Sequence, residues 1–182
     1  MSGKLNFSTE TKARIAECTI HLGSVYKFDD SWERFTIETV FLHKDNDRSS
    51  LLNDIALVKL RKKVRFSHYI QPICLPRAST STVLNNLCIS SGFGYTLKNV
   101  GSNRMLKIRM SILQCNERWD VICIGAYENL IVQGISNICK GDSGGPFSCK
   151  SVTEDRWTLY GIHSYVAGFE KTQLGINMRA ND

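Results

Sequence analysis

An alternation of side chains with a period of two residues recurs in several short segments of this sequence. Period two is the repeat of a β-strand that buries one face and exposes the other. Two segments show it most clearly, through Phe35, Ile37, Thr39 and Phe41 in the first and Leu106, Ile108, Met110 and Ile112 in the second. We therefore predict half-buried strands at both places.

Two further apolar runs, residues 54–60 and 157–162, are bounded by polar residues and are too short for helices. We predict that both are core strands. Long amphipathic helical patterns are absent from the sequence, which disfavours a helical interaction module. The fold class predicted from these patterns is all-β.

Composition narrows the class of protein but not its function. The chain has 182 residues, of which 42% are hydrophobic and 22% charged, as in an ordinary globular domain. The net charge of +6 is scattered, and its tightest run, Arg61-Lys62-Lys63, is typical of a solvated face. This distribution does not favour nucleic-acid binding. No apolar run approaches the length of a membrane helix, so no membrane partner is expected.

Seven cysteines are many for a chain of this size. The spacings of Cys115 to Cys123 and Cys139 to Cys149 do not match the paired C-x-x-C spacing of a zinc site. Disulfides and an oxidising compartment are therefore expected. The N-terminus has no apolar stretch typical of a secretion signal. We expect from this mismatch that the sequence lacks its natural N-terminus.

The segment 139–146 carries the strongest chemical signal, with Ser143 between glycines. A serine on such a sharp turn can expose its hydroxyl while nearby backbone N–H groups converge on one point. That arrangement suits an oxyanion hole, which stabilises the transition state of acyl transfer. A glycine-rich turn whose Asp142 and Ser143 merely bond their own backbone is the alternative. The segment alone does not decide between them.

Residues 141–146 match the GDSGGP motif of the trypsin/chymotrypsin-like serine endopeptidases at every position. Residues 53–60 resemble the strand that carries that family's triad aspartate. Residues 72–76 resemble the segment with which the family's chain leaves the first barrel. Residues 88–94 resemble the entry to the second barrel, with Phe93 in place of a tryptophan. Residues 157–166 resemble the strand that runs past the substrate. The resemblance extends from about His21 to Arg179.

The resemblance implies two antiparallel six-stranded Greek-key barrels. Residues 1–76 would be the remainder of an incomplete first barrel, 77–83 the connection and 84–182 the second barrel, without the closing helix of the family. An incomplete first barrel is expected to leave open strand edges, which favour aggregation.

The same resemblance implies a role for individual residues. Ser143 would be the nucleophile, Asp54 would orient the histidine, and the N–H groups of Gly141 and Ser143 would bind the oxyanion. Asp142 would pair with the new N-terminal amine after zymogen activation. The implied disulfides are Cys88–Cys149 and Cys115–Cys123, whereas the position that would pair with Cys139 is Phe169.

Substrate specificity is also read from the resemblance. By this resemblance, Asn137 would lie at the base of the pocket that receives the substrate side chain on the N-terminal side of the scissile bond, where trypsin has a carboxylate. Val166 would narrow the pocket entrance, and Gly175 would leave its second wall open. Ser164, Tyr165 and Val166 would bind an extended substrate backbone. We predict small or medium apolar side chains there, rather than Arg or Lys.

The family's A-A-H-C motif, which carries the general base, has no match here. Of the four histidines, His21 falls in a predicted strand, and His43 and His68 fall in predicted loops. Strand alternation turns the side chain of His163 away from that of Ser164. We therefore predict that the chain as given is inactive or very slow.

Two functions remain open from the sequence. The first is a secreted serine endopeptidase whose sequence here is truncated. The second is a non-catalytic homologue that binds peptides or proteins through the same cleft. We expect no cofactor and no metal, a polypeptide substrate or protein inhibitor as partner, an extracellular location and a monomeric state.

Overall fold

The structure is a computed structural model that describes residues 15–76 except 16 and 48, 87–96, 100–113, 121–126, 138–150, 155–167 and 174–179. Side chains of the strands are described as far as residue 165. The chain divides into two units, Met1–Pro72 and Ile73–Asp182. The predicted connection 77–83 lies outside the described residues, so its bounds stay a prediction. The strands pair antiparallel in both units, and the predicted all-β class is confirmed.

The described part of the first unit contains one antiparallel sheet, in the order β1-β2-β3. Its strands are β1 (Thr19–Leu22), β2 (Glu33–Leu42) and β3 (Ala56–Leu60). Phe35 and Ile37 are buried on the predicted face of β2. The register shifts between Ile37 and Thr39, which is the mark of a β-bulge. The half-buried strand predicted at 35–41 is confirmed.

Strand β3 departs from the prediction made for residues 54–60. The strand forms and pairs with β2, with Val58 opposite Val40. Its apolar side chains are nevertheless exposed, Leu57 to 71% and Val58 to 44%. The prediction of a core strand is wrong for this structure, because the described part of the first unit places no second layer over these side chains.

The second unit is a closed barrel with strand order β4-β5-β6-β9-β8-β7. Every strand of this barrel has a strand neighbour on both sides, so none of the six is an edge strand over its whole length. The six strands are β4 (Leu87–Gly92), β5 (Leu106–Ile112), β6 (Val121–Ala126), β7 (Pro146–Lys150), β8 (Trp157–Ala167) and β9 (Leu174–Arg179).

The barrel core is built from side chains that alternate along the strands. Met110 on β5, Ile124 on β6 and Phe147 on β7 are almost completely inaccessible to solvent. On β5, Ile108 packs against this core while Leu106, at the strand's start, is exposed. The period-two pattern predicted for β5 is thus confirmed over most of its length.

A disulfide fastens two neighbouring strands of the barrel. Cys88 on β4 and Cys149 on β7 are register partners with a Cα–Cα distance of 4.0 Å, and their sulfurs are bonded. The predicted Cys88–Cys149 bridge is confirmed. Cys123 is also disulfide-bonded, but its predicted partner, Cys115, lies outside the described residues.

Removal of the Phe147 side chain tests the barrel core. Phe147 is 0% exposed, so Phe147→Ala is expected to lower the free energy of unfolding by about 3–5 kcal/mol through lost burial and the cavity left behind. Phe66→Ala is the matched control, because Phe66 is 64% exposed. Urea unfolding followed by circular dichroism measures both. Equal destabilisation by the two changes would contradict the core described above.

Candidate functional site

The turn that carries Ser143 joins residue 138 to the start of β7 and depends on two glycines. Gly141 has φ of +94° and Gly144 has φ of +79°, values that a residue with a Cβ adopts only under strain. A Cβ on Gly141 would also lie 3.2 Å from the Cα of Gly94. The motif therefore specifies this backbone path through its glycines.

Some backbone N–H groups of the turn donate hydrogen bonds to backbone oxygens, and others have no acceptor among the described residues. The N–H of Asp142 donates to Cys139 O at 3.0 Å, and that of Gly145 to Asp142 O at 2.9 Å. The N–H groups of Gly141 and Ser143 have no acceptor in the described part of the second unit. Two amides two residues apart are thus left available for a ligand.

Asp142 ties the turn to the end of β4. One carboxylate oxygen accepts the N–H of Gly94 at 2.9 Å, and the other accepts the N–H of Cys139 at 3.1 Å. Tyr95 N–H adds a backbone bond to Lys140 O at 2.9 Å. A partly buried carboxylate that accepts two backbone bonds holds both segments in one geometry.

Two glycines make room for this carboxylate. A Cβ on Gly92 would lie 2.0 Å from Asp142 Oδ1, and a Cβ on Gly94 would lie 2.5 Å from the Asp142 carboxylate. Both positions exclude any side chain unless Asp142 moves. Sequence reasoning did not identify these glycines as site residues, although their spacing in the segment 88–94 was a signal.

Strand β8 holds the turn from the other side. His163 O accepts the N–H of Gly144 at 2.8 Å, and His163 N–H donates to Gly145 O at 2.9 Å. The side chain of His163 is buried, and its Cδ2 would be 3.1 Å from a Cβ on Gly145. The ring therefore packs against the backbone of the turn that carries Ser143.

Past His163, strand β8 carries the residues predicted to bind substrate. Its pairing with β7 ends at Ile162, which faces Pro146, whereas its pairing with β9 continues to Ala167. Val166 and Gly175 are direct register partners across β8 and β9. The two predicted pocket walls are thus neighbours in the sheet, while Asn137 and the Val166 side chain lie outside the described residues.

The Ser143 side chain is exposed. In the described part of the second unit no group hydrogen-bonds to its hydroxyl. In the first unit, Asp54 lies just before β3 and is exposed. Asp54 and Ser143 belong to different units of the chain.

The histidines of the first unit have local partners. His21 lies edge-on to Trp32 with ring centroids 4.9 Å apart, and its Nε2 lies 2.8 Å from Thr19 Oγ1. His43 Nδ1 accepts the Asp45 N–H at 3.2 Å. His21 lies in strand β1 and His43 in the loop after β2, the strand and loop positions predicted from the sequence.

The loop between β2 and β3, which contains Asp54, is held together in part by the carboxylate of Asp47. Asp47 and Leu52 exchange backbone hydrogen bonds, and Leu51 and Asn53 have positive φ. The hydroxyls of Ser50 and Ser49 donate to the Asp47 carboxylate at 2.6 and 2.7 Å. These bonds, with the Ser49 N–H, lower the pKa of Asp47 to about 2.

Two kinds of feature, clusters of metal-binding side chains and helices of membrane-spanning length, do not occur among the described residues. No group of three or more His, Cys, Asp or Glu side chains there could hold a metal ion. No helix among those residues is long and apolar enough to cross a membrane.

Gly94→Ala tests the contact between the segment after β4 and the turn that carries Ser143. The new methyl group would overlap the Asp142 carboxylate, so we expect a loss of about 1–3 kcal/mol in unfolding free energy and faster hydrogen exchange at the Cys139 amide. Gly101→Ala is the matched control, because a Cβ there meets nothing within 4 Å. An unchanged Cys139 exchange rate in Gly94→Ala would contradict the proposed anchor.

The Asp47 carboxyl provides a pH-dependent test of the loop before Asp54. Its folded pKa is depressed from 3.8 to about 2, so its stabilising effect is present above pH 3.8 and is lost as the pH falls through about 2. A carboxyl NMR titration is expected to show this midpoint. Ser50→Ala is expected to raise it towards 3.8, whereas Ser67→Ala is expected to leave it unchanged. A midpoint near 3.8 in the unaltered protein would refute the hydrogen-bonding described.

Comparison with known proteins identifies the family of this chain. The family profile described as Trypsin matches residues 12–181. Ovochymase of Halocynthia roretzi is 31% identical over 176 residues, which cover 85% of this chain and 11% of ovochymase. The chain thus spans about one ninth of the length of this relative. With the profile matched over almost all of its residues, the chain belongs to the trypsin family of serine proteases.

Proposed function

We propose that this chain is a serine-type endopeptidase domain that acts through an acyl-enzyme at Ser143. The Ser143 hydroxyl attacks the carbonyl of the scissile bond, the amine product leaves, and water then hydrolyses the serine ester. The polypeptide is thereby cut in two steps. Membership of the trypsin family supports this reaction class.

The observation that carries the proposal is the pair of uncommitted amides beside an exposed serine. The N–H groups of Gly141 and Ser143 are left without an acceptor in the described part of the second unit, whereas the neighbouring Asp142, Gly144 and Gly145 donate to backbone oxygens. Donors fixed in advance stabilise the growing negative charge of the intermediate. Each contributes about 2.7–4 kcal/mol in known oxyanion holes.

The remaining roles follow the family pattern. Asp54 orients and supports a histidine, and Asp142 accepts a newly formed N-terminal amine. An ionised carboxylate has about four lone-pair sites, and the two backbone bonds to Asp142 leave capacity for a further donor. None of the four histidines lies in the family's A-A-H-C motif. The chain as given is therefore proposed to hydrolyse peptides very slowly.

Substrate binding is proposed along β8 beyond its last partner on β7. An extended peptide would add to the edge at Ser164, Tyr165 and Val166. Asn137 at the pocket base carries no charge to select Arg or Lys, so small or medium apolar side chains are preferred. Extracellular location is supported by the family and by the Cys88–Cys149 disulfide.

A second candidate function is peptide or protein binding without catalysis. The missing histidine motif favours it, because a binding protein needs the strand edge of β8 but no general base. The two functions differ in whether Ser143 can form a covalent bond.

A fluorophosphonate probe tests the nucleophile. Without the histidine, serine proteases lose roughly six orders of magnitude in rate, so labelling at neutral pH is expected to be very slow. In alkaline buffer, where hydroxide can remove the proton, we expect one probe per chain, located at Ser143 by mass spectrometry. Ser143→Ala removes this labelling, and Ser67→Ala, at another exposed serine, leaves it intact.

Two results would overturn parts of the proposal. Rapid labelling of Ser143 at neutral pH would mean that one of the four histidines acts as a base after all. Absence of labelling at Ser143 in folded protein, even in alkaline buffer, would remove the endopeptidase assignment and favour the binding homologue.

A further inference from the structure

Residues 61–69, the basic segment, follow β3 and carry a concentrated positive charge. Four of these residues are cationic and exposed to solvent, namely Arg61, Lys62, Lys63 and Arg65. The cation just before them, Lys59, is paired with Glu38 on β2 at 2.7 Å. The sequence contains no acidic residue between Asp54 and Glu117. The charge of the basic segment is therefore not neutralised by its neighbours along the chain.

The backbone of the basic segment is held at both ends. At its start, the Arg61 N–H donates to Thr36 O on β2 at 3.0 Å. At its end, the Ser67 N–H donates to Ile70 O at 2.9 Å, and the Ile70 side chain is buried. The Gln71 side-chain amide also donates to Ser67 O. A ligand thus meets a main chain that is already ordered, which lowers the entropic cost of binding.

Exposed aromatic side chains accompany the cations. Phe66 is 64% exposed and Tyr69 is 79% exposed. The His68 ring lies edge-on to that of Tyr69, with centroids 5.2 Å apart. An exposed cationic run is often only a solvated face, as the sequence favours for Arg61-Lys62-Lys63. A solvated face needs neither main-chain anchors nor apolar rings, so this combination points to a ligand.

Location selects among the polyanions that such a surface could bind. An extracellular location is supported by the family and by the Cys88–Cys149 disulfide. The abundant linear polyanions outside cells are sulfated polysaccharides rather than nucleic acids. Their sulfate groups pair with Lys and Arg, and the C–H face of a sugar ring can stack on an aromatic side chain. Both kinds of group occur in the basic segment.

We propose that the basic segment is a binding site for linear sulfated polysaccharides. Sulfate groups along the polymer pair with the four cations, and a sugar ring stacks on Phe66 or Tyr69. Because a polyanion releases condensed counterions when cations bind it, the affinity falls as the salt concentration rises. The site lies within the first unit and does not depend on the proposed enzymatic function.

Heparin binding by the full chain at several salt concentrations tests the site. One triple variant changes three cations of the basic segment, by Lys62→Gln, Lys63→Gln and Arg65→Gln. It is expected to bind about tenfold or more weakly at an ionic strength of about 0.15 M, with a slope of log affinity against log salt reduced by about 2–3. The matched control removes the same charge at three other exposed lysines, by Lys27→Gln, Lys44→Gln and Lys107→Gln. It is expected to keep nearly the original slope.

A pair of phenylalanine variants tests the stacking. Phe66→Ala is expected to weaken heparin binding about fivefold without changing the salt slope, because no charge is removed. Phe28→Ala is the control. Phe28 is 82% exposed, but Asp29 and Asp30 follow it, and their carboxylates repel a polyanion. Its loss is expected to leave the affinity unchanged.

Lysine acetylation locates the site in the unaltered protein. Bound heparin is expected to slow the acetylation of Lys62 and Lys63 several-fold and to leave that of Lys44 and Lys107 unchanged. Mass spectrometry after digestion measures the extent of modification at each lysine. This experiment requires no variant, so its outcome does not depend on whether a substituted chain folds.

Four results would overturn the proposal. The unaltered protein could fail to bind heparin at low salt. The two triple variants, both shown to be folded by circular dichroism, could lose affinity equally, which would mean that net charge alone governs binding. Heparin could protect Lys44 and Lys107 as strongly as Lys62 and Lys63. Single-stranded oligothymidylate could bind more tightly than heparin, which would assign the basic segment to nucleic acid instead.

Discussion

The geometry of the turn that carries Ser143 depends on the Asp142 carboxylate. Its two oxygens accept N–H groups from Gly94, at the end of β4, and from Cys139, within the turn itself. Because both donors are backbone N–H groups, the two hydrogen bonds fix the path of the main chain at Gly94 and Cys139. The Asp142 carboxylate fits beside this segment only because Gly92 and Gly94 have no Cβ. The exposed Ser143 hydroxyl and its two unused amides are held in place by this link.

A closed barrel supplies the rigid support that such a turn requires. The turn is continuous with β7, and β7 is fastened to β4 by ladder bonds and by the Cys88–Cys149 disulfide. Strand β8 then brackets the turn through both backbone groups of His163. A reaction whose rate falls when a reacting atom is displaced by about an ångström requires a rigid loop, and this loop is anchored on three sides.

In the part of the chain that the structure describes, the sheet of the first unit has edge strands, whereas the barrel of the second unit is closed. The barrel pairs every strand on two sides, whereas β3 is paired with β2 alone among the described residues. The same residue types that fill a core, Leu57 and Val58, are therefore exposed.

The sequence by itself determined the strands, because period-two patterns such as Ile108 and Met110 on β5 follow from the geometry of a pleated strand. It also determined the Cys88–Cys149 bridge and the serine motif through their resemblance to one family. The sequence-based prediction was wrong at Leu57, because an apolar run indicates that burial is favourable but not that other residues cover the strand. Only the tertiary structure decided that exposure, and only it brought Gly94 against Asp142. Contacts between residues far apart in sequence depend on how strands are closed into a sheet, which local patterns do not encode.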